Sequence, residues 1–295
     1  MYQKVLFPTD FSSNSQKITG WIGKIPGIRE VVLLHVMDTA RSSKTGADPG
    51  EEIEHVKSLM AQTEKTIQNS GAAVQTNVDL MENPADQGTI GSRIQKTAER
   101  ENVSMIVMGA RGRSLHDLLL GSVSTYMLHH ATIPLLLVKS PQANGIAGQE
   151  NTPLYQPVFS KILIPTDFSA PAADVPGFVS SLQGVDEVIL VHVITAEKND
   201  SRLPEYIHGA TMKLGAIRDE LVRSGFTVKD YVRVGYPPDE INILAGQEQA
   251  TVIAMSPVGE GWLRGLKELV VGSTTDAVVR RADRPVLVVR SVKKA

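Results

Sequence analysis

Cysteine is absent from the 295 residues, which excludes disulfides, thiolate metal sites and cysteine nucleophiles. Aromatic residues make up only 5% of the chain, and a formal charge of −2 leaves no basic surplus for nucleic acid or an anionic membrane. No apolar run approaches the roughly 18 residues of a membrane span. The opening MYQKVLFPTD enters a strand pattern without the apolar core and cleavage site of a signal peptide, so a cytoplasmic location is expected. No His/Asp/Glu group has metal-ligand spacing, so no protein-ligated metal is expected. No GxxxxGK[ST] segment exists, and GEGWLRG from Gly259 is not GxGxxG. No nucleophile is matched to a base, so no catalytic residue is assigned.

What is present is written twice. KVLFPTDFS from Lys4 returns as KILIPTDFS from Lys161, an offset of 161 − 4 = 157 that EVVLLHV (Glu30) and EVILVHV (Glu187) share. SMIVMGARG from Ser104 is matched by TVIAMSPVG from Thr251, offset 251 − 104 = 147. GSVSTYMLHHATIPLLLVKS from Gly121 is matched by GSTTDAVVRRADRPVLVVRS from Gly272, offset 272 − 121 = 151. One order of segments with small indels between them is a duplicated domain. SPQANGIAGQENTPLYQP lacks periodicity and is rich in Pro, Gly, Gln and Asn, which marks a linker. The expected organisation is a domain over 1–140, a linker over 141–158 and a domain over 159–295.

VLFP, VVLLHV, MIVMG and PLLLVK are short, nearly continuous apolar runs of the kind buried on both faces of a parallel sheet. VQTNVDLM and VKDYVRV alternate and predict a more exposed third strand in each half. Glu52 to Gln68 carries Ile53, Val56, Leu59, Met60, Thr63 and Ile67 at helical spacing and runs into Asn69-Ser70-Gly71, a C-cap signal. The pattern predicts an α/β fold of two tandem doubly wound parallel-sheet domains with five strands each.

In such sheets ligands bind beyond the carboxyl ends of the strands where strand order reverses, here between strands one and four. Thr9 and Asp10 leave strand one; Gly109, Ala110, Arg111 and Gly112 leave strand four. Glycine lets backbone approach a ligand, Ser122 is a candidate N-cap for the next helix, and that helix start is an anion site. Ser122 and Ser124 offer hydroxyls, Arg111 and Arg113 a charge suited to phosphate, and Asp10 an acceptor for an amine or ribose hydroxyl. A glycine-rich turn alone and an aspartate acting only as a helix cap are the plainer readings. His35 and His192, inside apolar strands, read as satisfied core histidines.

PTDFS, LLHV and MGxRG…LLLGSVS…PLLLVK resemble the universal stress protein family, and each half resembles one such domain over nearly its whole length. The resemblance implies an adenine-nucleotide alpha-hydrolase-like fold in each domain. It implies ATP, ADP or AMP, with or without Mg²⁺, held by Asp10, Val36, Gly109, Gly112, Gly121, Ser122, Val123 and Ser124. RSLHDLLL between Gly112 and Gly121 is one residue shorter than the family's nine. In the second half Asp167, Val193, Gly259, Gly272, Ser273, Thr274 and Thr275 keep part of the pattern. There Ser256-Pro257 replace Gly-Ala, and EGWLRGLKELVV separates Gly259 from Gly272. The expectation is one competent site, one degenerate site, and a stress-response regulatory module. A scaffold without nucleotide is the alternative, and a slow ATPase or self-phosphorylating protein the third reading. PLLLVK and PVLVVR begin with proline, which suits edge strands, and in the family that strand pairs across a dimer. An intramolecular pseudo-dimer, a further homodimer and an unidentified protein partner are therefore expected.

Overall fold

A computed structural model describes residues 2–38, 49–81, 89–110, 120–139, 157–195, 200–259 and 271–290. Arg111, Gly112, Arg113 and most of the linker lie outside these residues. The chain divides into two compact units, Met1–Met127 with Ala131–Val138, and Leu128–His130 with Lys139–Ala295.

The first half runs β1 (Lys4–Pro8), α1 (Ser13–Thr19), a 3-10 turn (Ile22–Lys24), β2 (Glu30–Asp38), α2 (Pro49–Asn69), β3 (Ala73–Met81), α3 (Ile90–Arg100), β4 (Met105–Gly109), α4 (Ser122–His130) and β5 (Leu135–Val138). Every strand pair in it is parallel, and the order is β3-β2-β1-β4-β5. The chain therefore winds outward from β1 to β3 and returns beside β1 with β4, which places a switch point between the two. Val5, Leu6 and Phe7 of β1, Val31 to Leu33 of β2 and Ile106 and Val107 of β4 have no exposed surface. Such burial stabilises by about 1.5–3 kcal/mol per large apolar side chain. β3 contains no fully buried residue, in keeping with its alternating sequence.

The second half repeats the plan with β6 (Lys161–Pro165), α5 (Ala170–Ser180), β7 (Glu187–Ile194), α6 (Leu203–Arg223), β8 (Thr227–Val234), α7 (Pro237–Gln247), β9 (Val252–Met255), α8 (Ser273–Arg281) and β10 (Val286–Val288). Its parallel order is β8-β7-β6-β9-β10. α2 and α6 are both 21 residues long. Val56, Met60 and Ile67 of α2 are buried, as are Ala210, Leu214 and Leu221 of α6, at a constant offset of 210 − 56 = 154. Both helices stop at a glycine with positive φ, Gly71 (108°) and Gly225 (94°), where the left-handed conformation costs no Cβ clash.

Candidate functional site

The turn after each first strand is built from Thr-Asp-Phe-Ser. The Thr9 hydroxyl accepts the Phe11 N–H (3.1 Å), and Asp10 Oδ1 accepts the Ser12 N–H (3.0 Å). The two bonds hold Phe11 at φ 58°, a left-handed conformation that is strained for a bulky residue. Thr166, Asp167 and Phe168 (φ 64°) repeat it with both bonds at 3.0 Å. Ser12 then caps α1 through its side chain, so Asp10 shapes the loop and is not the cap itself.

His35 corrects the core-histidine expectation. It is half-buried, and its Nδ1 lies 2.8 Å from the Thr9 carbonyl oxygen, as His192 Nδ1 does from Thr166. A carbonyl only accepts, so Nδ1 carries a proton. The His35 ring lies 4.7 Å from the Phe11 ring and faces a cavity, a position that an apolar strand pattern did not reveal.

Across the switch point, β4 ends at Gly109 and α4 begins at Ser122. The N-cap is Gly121 (φ −64°, ψ 154°), not Ser122, which is the first helical residue and is exposed. Glycine has no side chain to accept the first-turn amides, whereas Ser12 and Thr89 cap α1 and α3. The helix that opens onto the switch point thus keeps its first-turn N–H groups without a side-chain cap, the arrangement that favours an anion. Ser124 is buried, and its hydroxyl donates to the Gly109 carbonyl (2.9 Å), tying α4 to the end of β4. Ser124 is therefore a strut for the loop.

These residues enclose one cavity of about 560 Å³, within the usual range for small-ligand sites. Thr9, Asp10, Val36, Gly109, Gly121, Ser122, Val123 and Ser124 all line it. The structure brings together every first-half candidate except Arg111 and Gly112, which lie outside the described residues. It adds Phe11, His35 and Met37, and a row from α2, Glu52, His55 and Leu59. The i, i+3, i+7 spacing of that row, beside the buried Val56, was the available signal.

The second half keeps the frame and alters the space. The Thr275 hydroxyl donates to the Ser256 carbonyl (2.9 Å), as Ser124 does to Gly109, and Gly272 again stands at an N-cap without a side-chain bond, ahead of Ser273 and Thr274. Gly259 lies against Asp167: a Cβ added there would meet Asp167 Oδ2 at 2.2 Å. Lys213, at the position of Leu59, holds its Nζ 5.1 Å from the centre of the Phe168 ring. Val193 is half-buried on β7. Pro257 removes less than its sequence suggests. In the first half the Ala110 N–H bonds the Val138 carbonyl (2.8 Å), so proline there deletes a sheet bond rather than a ligand donor. The loop closure persists, since Gly272 N–H donates to Pro257 O (2.8 Å) as Gly121 N–H does to Ala110 O (3.0 Å).

Among the described residues, no cluster of three His, Asp or Glu side chains could hold a metal ion, and no helix is long and apolar enough to cross a membrane. The sequence model of the universal stress protein family matches residues 1–139 and again 159–290. A universal stress protein of Methanocaldococcus jannaschii is 32% identical over 158 residues, covering 45% of this chain and 96% of the relative. One from Methanothermobacter thermautotrophicus is 32% identical over 149 residues, covering 48% and 97%. The crystal structure of a universal stress protein from Archaeoglobus fulgidus matches with a TM-score of 0.73 at 25% identity, covering 98% of this chain and 99% of that one.

Proposed function

The chain belongs to the universal stress protein family, and from that premise we propose that its first half binds one adenine nucleotide as a regulatory ligand. The observation that carries this reading is the convergence, in one cavity, of the Asp10 carboxylate, the bare backbone at Gly109 and the start of α4 without a side-chain cap. Phosphate sits at the α4 start, where first-turn N–H groups and the Ser122 hydroxyl donate to it. The base and ribose reach across the switch point to Asp10 and Val36. Arg111 and Gly112, assigned to the same site by the sequence pattern, lie outside the described residues, and Mg²⁺ would enter on the nucleotide.

The second half is the degenerate copy. Lys213 over Phe168, where the first half has Leu59, supports a site narrowed by its own side chains. Occupancy acts by linkage: a ligand at 100 times its Kd stabilises the domain that holds it by about 2.7 kcal/mol. That change alters how the protein meets a partner in the cytoplasm. β5 and β10 end the strand order of their own halves, and their pairing would make the two halves a pseudo-dimer that can dimerise again.

The test is to denature the purified protein, identify released small molecules by mass, and follow thermal unfolding with ATP, ADP, AMP and GTP. Released adenine nucleotide, with a stabilising shift that GTP does not give, is expected. No release and no shift at millimolar nucleotide would replace this reading with that of a scaffold.

A further inference from the structure

The flank of α2 that borders the first-half cavity carries a ring, the imidazole of His55. His55 lines the cavity and is at the same time exposed, which places it at the mouth, open to a ligand as well as to solvent. It makes no hydrogen bond, ion pair or ring contact with another described residue. Glu54 and Lys57, which are exposed on the same helix but do not line the cavity, pair with each other at 2.7 Å. Val36, Met37 and Leu59 make the surface around His55 apolar.

The fold does not call for a ring at this place. At the offset of 154, α6 carries Gly209 there, and a Cβ added to it would meet nothing within 4 Å. Crowding therefore does not explain the missing side chain. The ring next along that flank, Tyr206, lies under the Arg202 guanidinium at 5.3 Å. The free ring belongs to the half whose site carries the better nucleotide pattern.

The strand order decides which part of a nucleotide His55 meets. The phosphate end lies at the start of α4, which follows β4. α2 follows β2 and leads into β3, on the other side of β1 from β4. The part of the ligand that reaches α2 is the base, whose flat faces are apolar and stack on aromatic rings.

Resting on the nucleotide reading above, we propose that His55 is a further binding residue, whose imidazole stacks on the base and closes the cavity mouth over it. The ring covers a face and does not read an edge, so it adds affinity without choosing between purines. Its contribution is the same whatever phosphates the ligand carries.

The experiment is calorimetric titration of the full chain with adenosine, AMP and ATP, for the natural sequence, His55→Ala, His55→Gln and His55→Phe. Glutamine keeps a hydrogen-bonding side chain without the ring, and phenylalanine keeps the ring without its nitrogens. His55→Ala and His55→Gln are each expected to raise Kd about fivefold or more, equally for the three ligands. His55→Phe should bind within about twofold of the natural protein. An unchanged Kd in His55→Ala, while the natural protein binds AMP, overturns the assignment and leaves the nucleotide reading standing. A loss seen with ATP and AMP but not with adenosine would place His55 on the phosphates and overturn it. So would rescue by glutamine and not by phenylalanine, which would make the contact a hydrogen bond. Failure of the natural protein to bind any of the three would overturn both readings.

Discussion

Asp10→Asn separates the two roles of the aspartate after β1. Asp10 Oδ1 accepts the Ser12 N–H at 3.0 Å, and an asparagine oxygen can accept the same bond. Stability should change by at most about 0.5 kcal/mol, which is ~1–2 °C in Tm for a domain of this size. Asp10→Ala removes the acceptor and loosens the turn that holds Phe11 at φ 58°. That costs about 1 kcal/mol, or ~3–5 °C. Binding responds differently. Both substitutions remove a charged acceptor from the cavity, and a hydrogen bond to a charged group contributes about 1.5–3 kcal/mol. The Kd for AMP or ATP should therefore rise about 10- to 150-fold in either variant. Asp167→Asn, which alters the matching turn of the second half, should leave binding unchanged. The assay is calorimetric titration alongside thermal unfolding of the same samples. If Asp10→Asn binds nucleotide like the natural protein, the carboxylate only shapes the loop and the reasoning fails.

Gly91 packs on Tyr126 so closely that an added Cβ would meet the ring at 2.1 Å. Gly91→Ala should push α3 from α4, cost about 1–3 kcal/mol, and show as a lower urea midpoint with weaker nucleotide binding. In the second half, the Tyr231 hydroxyl and the Lys229 ammonium hold Glu248 below the usual carboxylate range. Partial burial raises the Glu187 carboxyl, but bonds from Lys161 and Lys229 outweigh it and leave it lowered too. A lowered folded-state pKa stabilises above the unfolded value and is lost as pH falls through the folded one. Unfolding followed by circular dichroism should be flat from pH 7 to about 5, and stability should drop below ~4.5. Lys229→Met should flatten that drop, and an unaltered acid slope would count against the network. Residues 1–145 expressed alone should self-associate in analytical ultracentrifugation if β5 seeks a partner edge, whereas a strictly monomeric species would refute the pseudo-dimer.

The strands and their order were legible because burial on both faces writes an apolar run that survives duplication, as in KVLFPTDFS and KILIPTDFS. The helix from Glu52 was legible from its spacing, and its end from Asn69-Ser70-Gly71. Three features escaped for physical reasons. His35 sits in an apolar strand, yet the strand's end emerges from the core and turns the ring to the cavity. Gly121 rather than Ser122 takes the N-cap because the loop closes through the Gly121 N–H to the Ala110 carbonyl, a tertiary bond that residue preference does not report. His55 gave no signal beyond a place beside an apolar stripe, since its meaning depends on which strands lie beneath α2.

Equilibrium dialysis of the full chain against radiolabelled ATP and AMP, carried to saturation, tests the central claim most directly. The account predicts one adenine nucleotide per chain, with half-saturation moved about 10- to 150-fold higher in Asp10→Ala and unmoved in Asp167→Ala. Saturation at two per chain, or no binding by the natural protein, would contradict it.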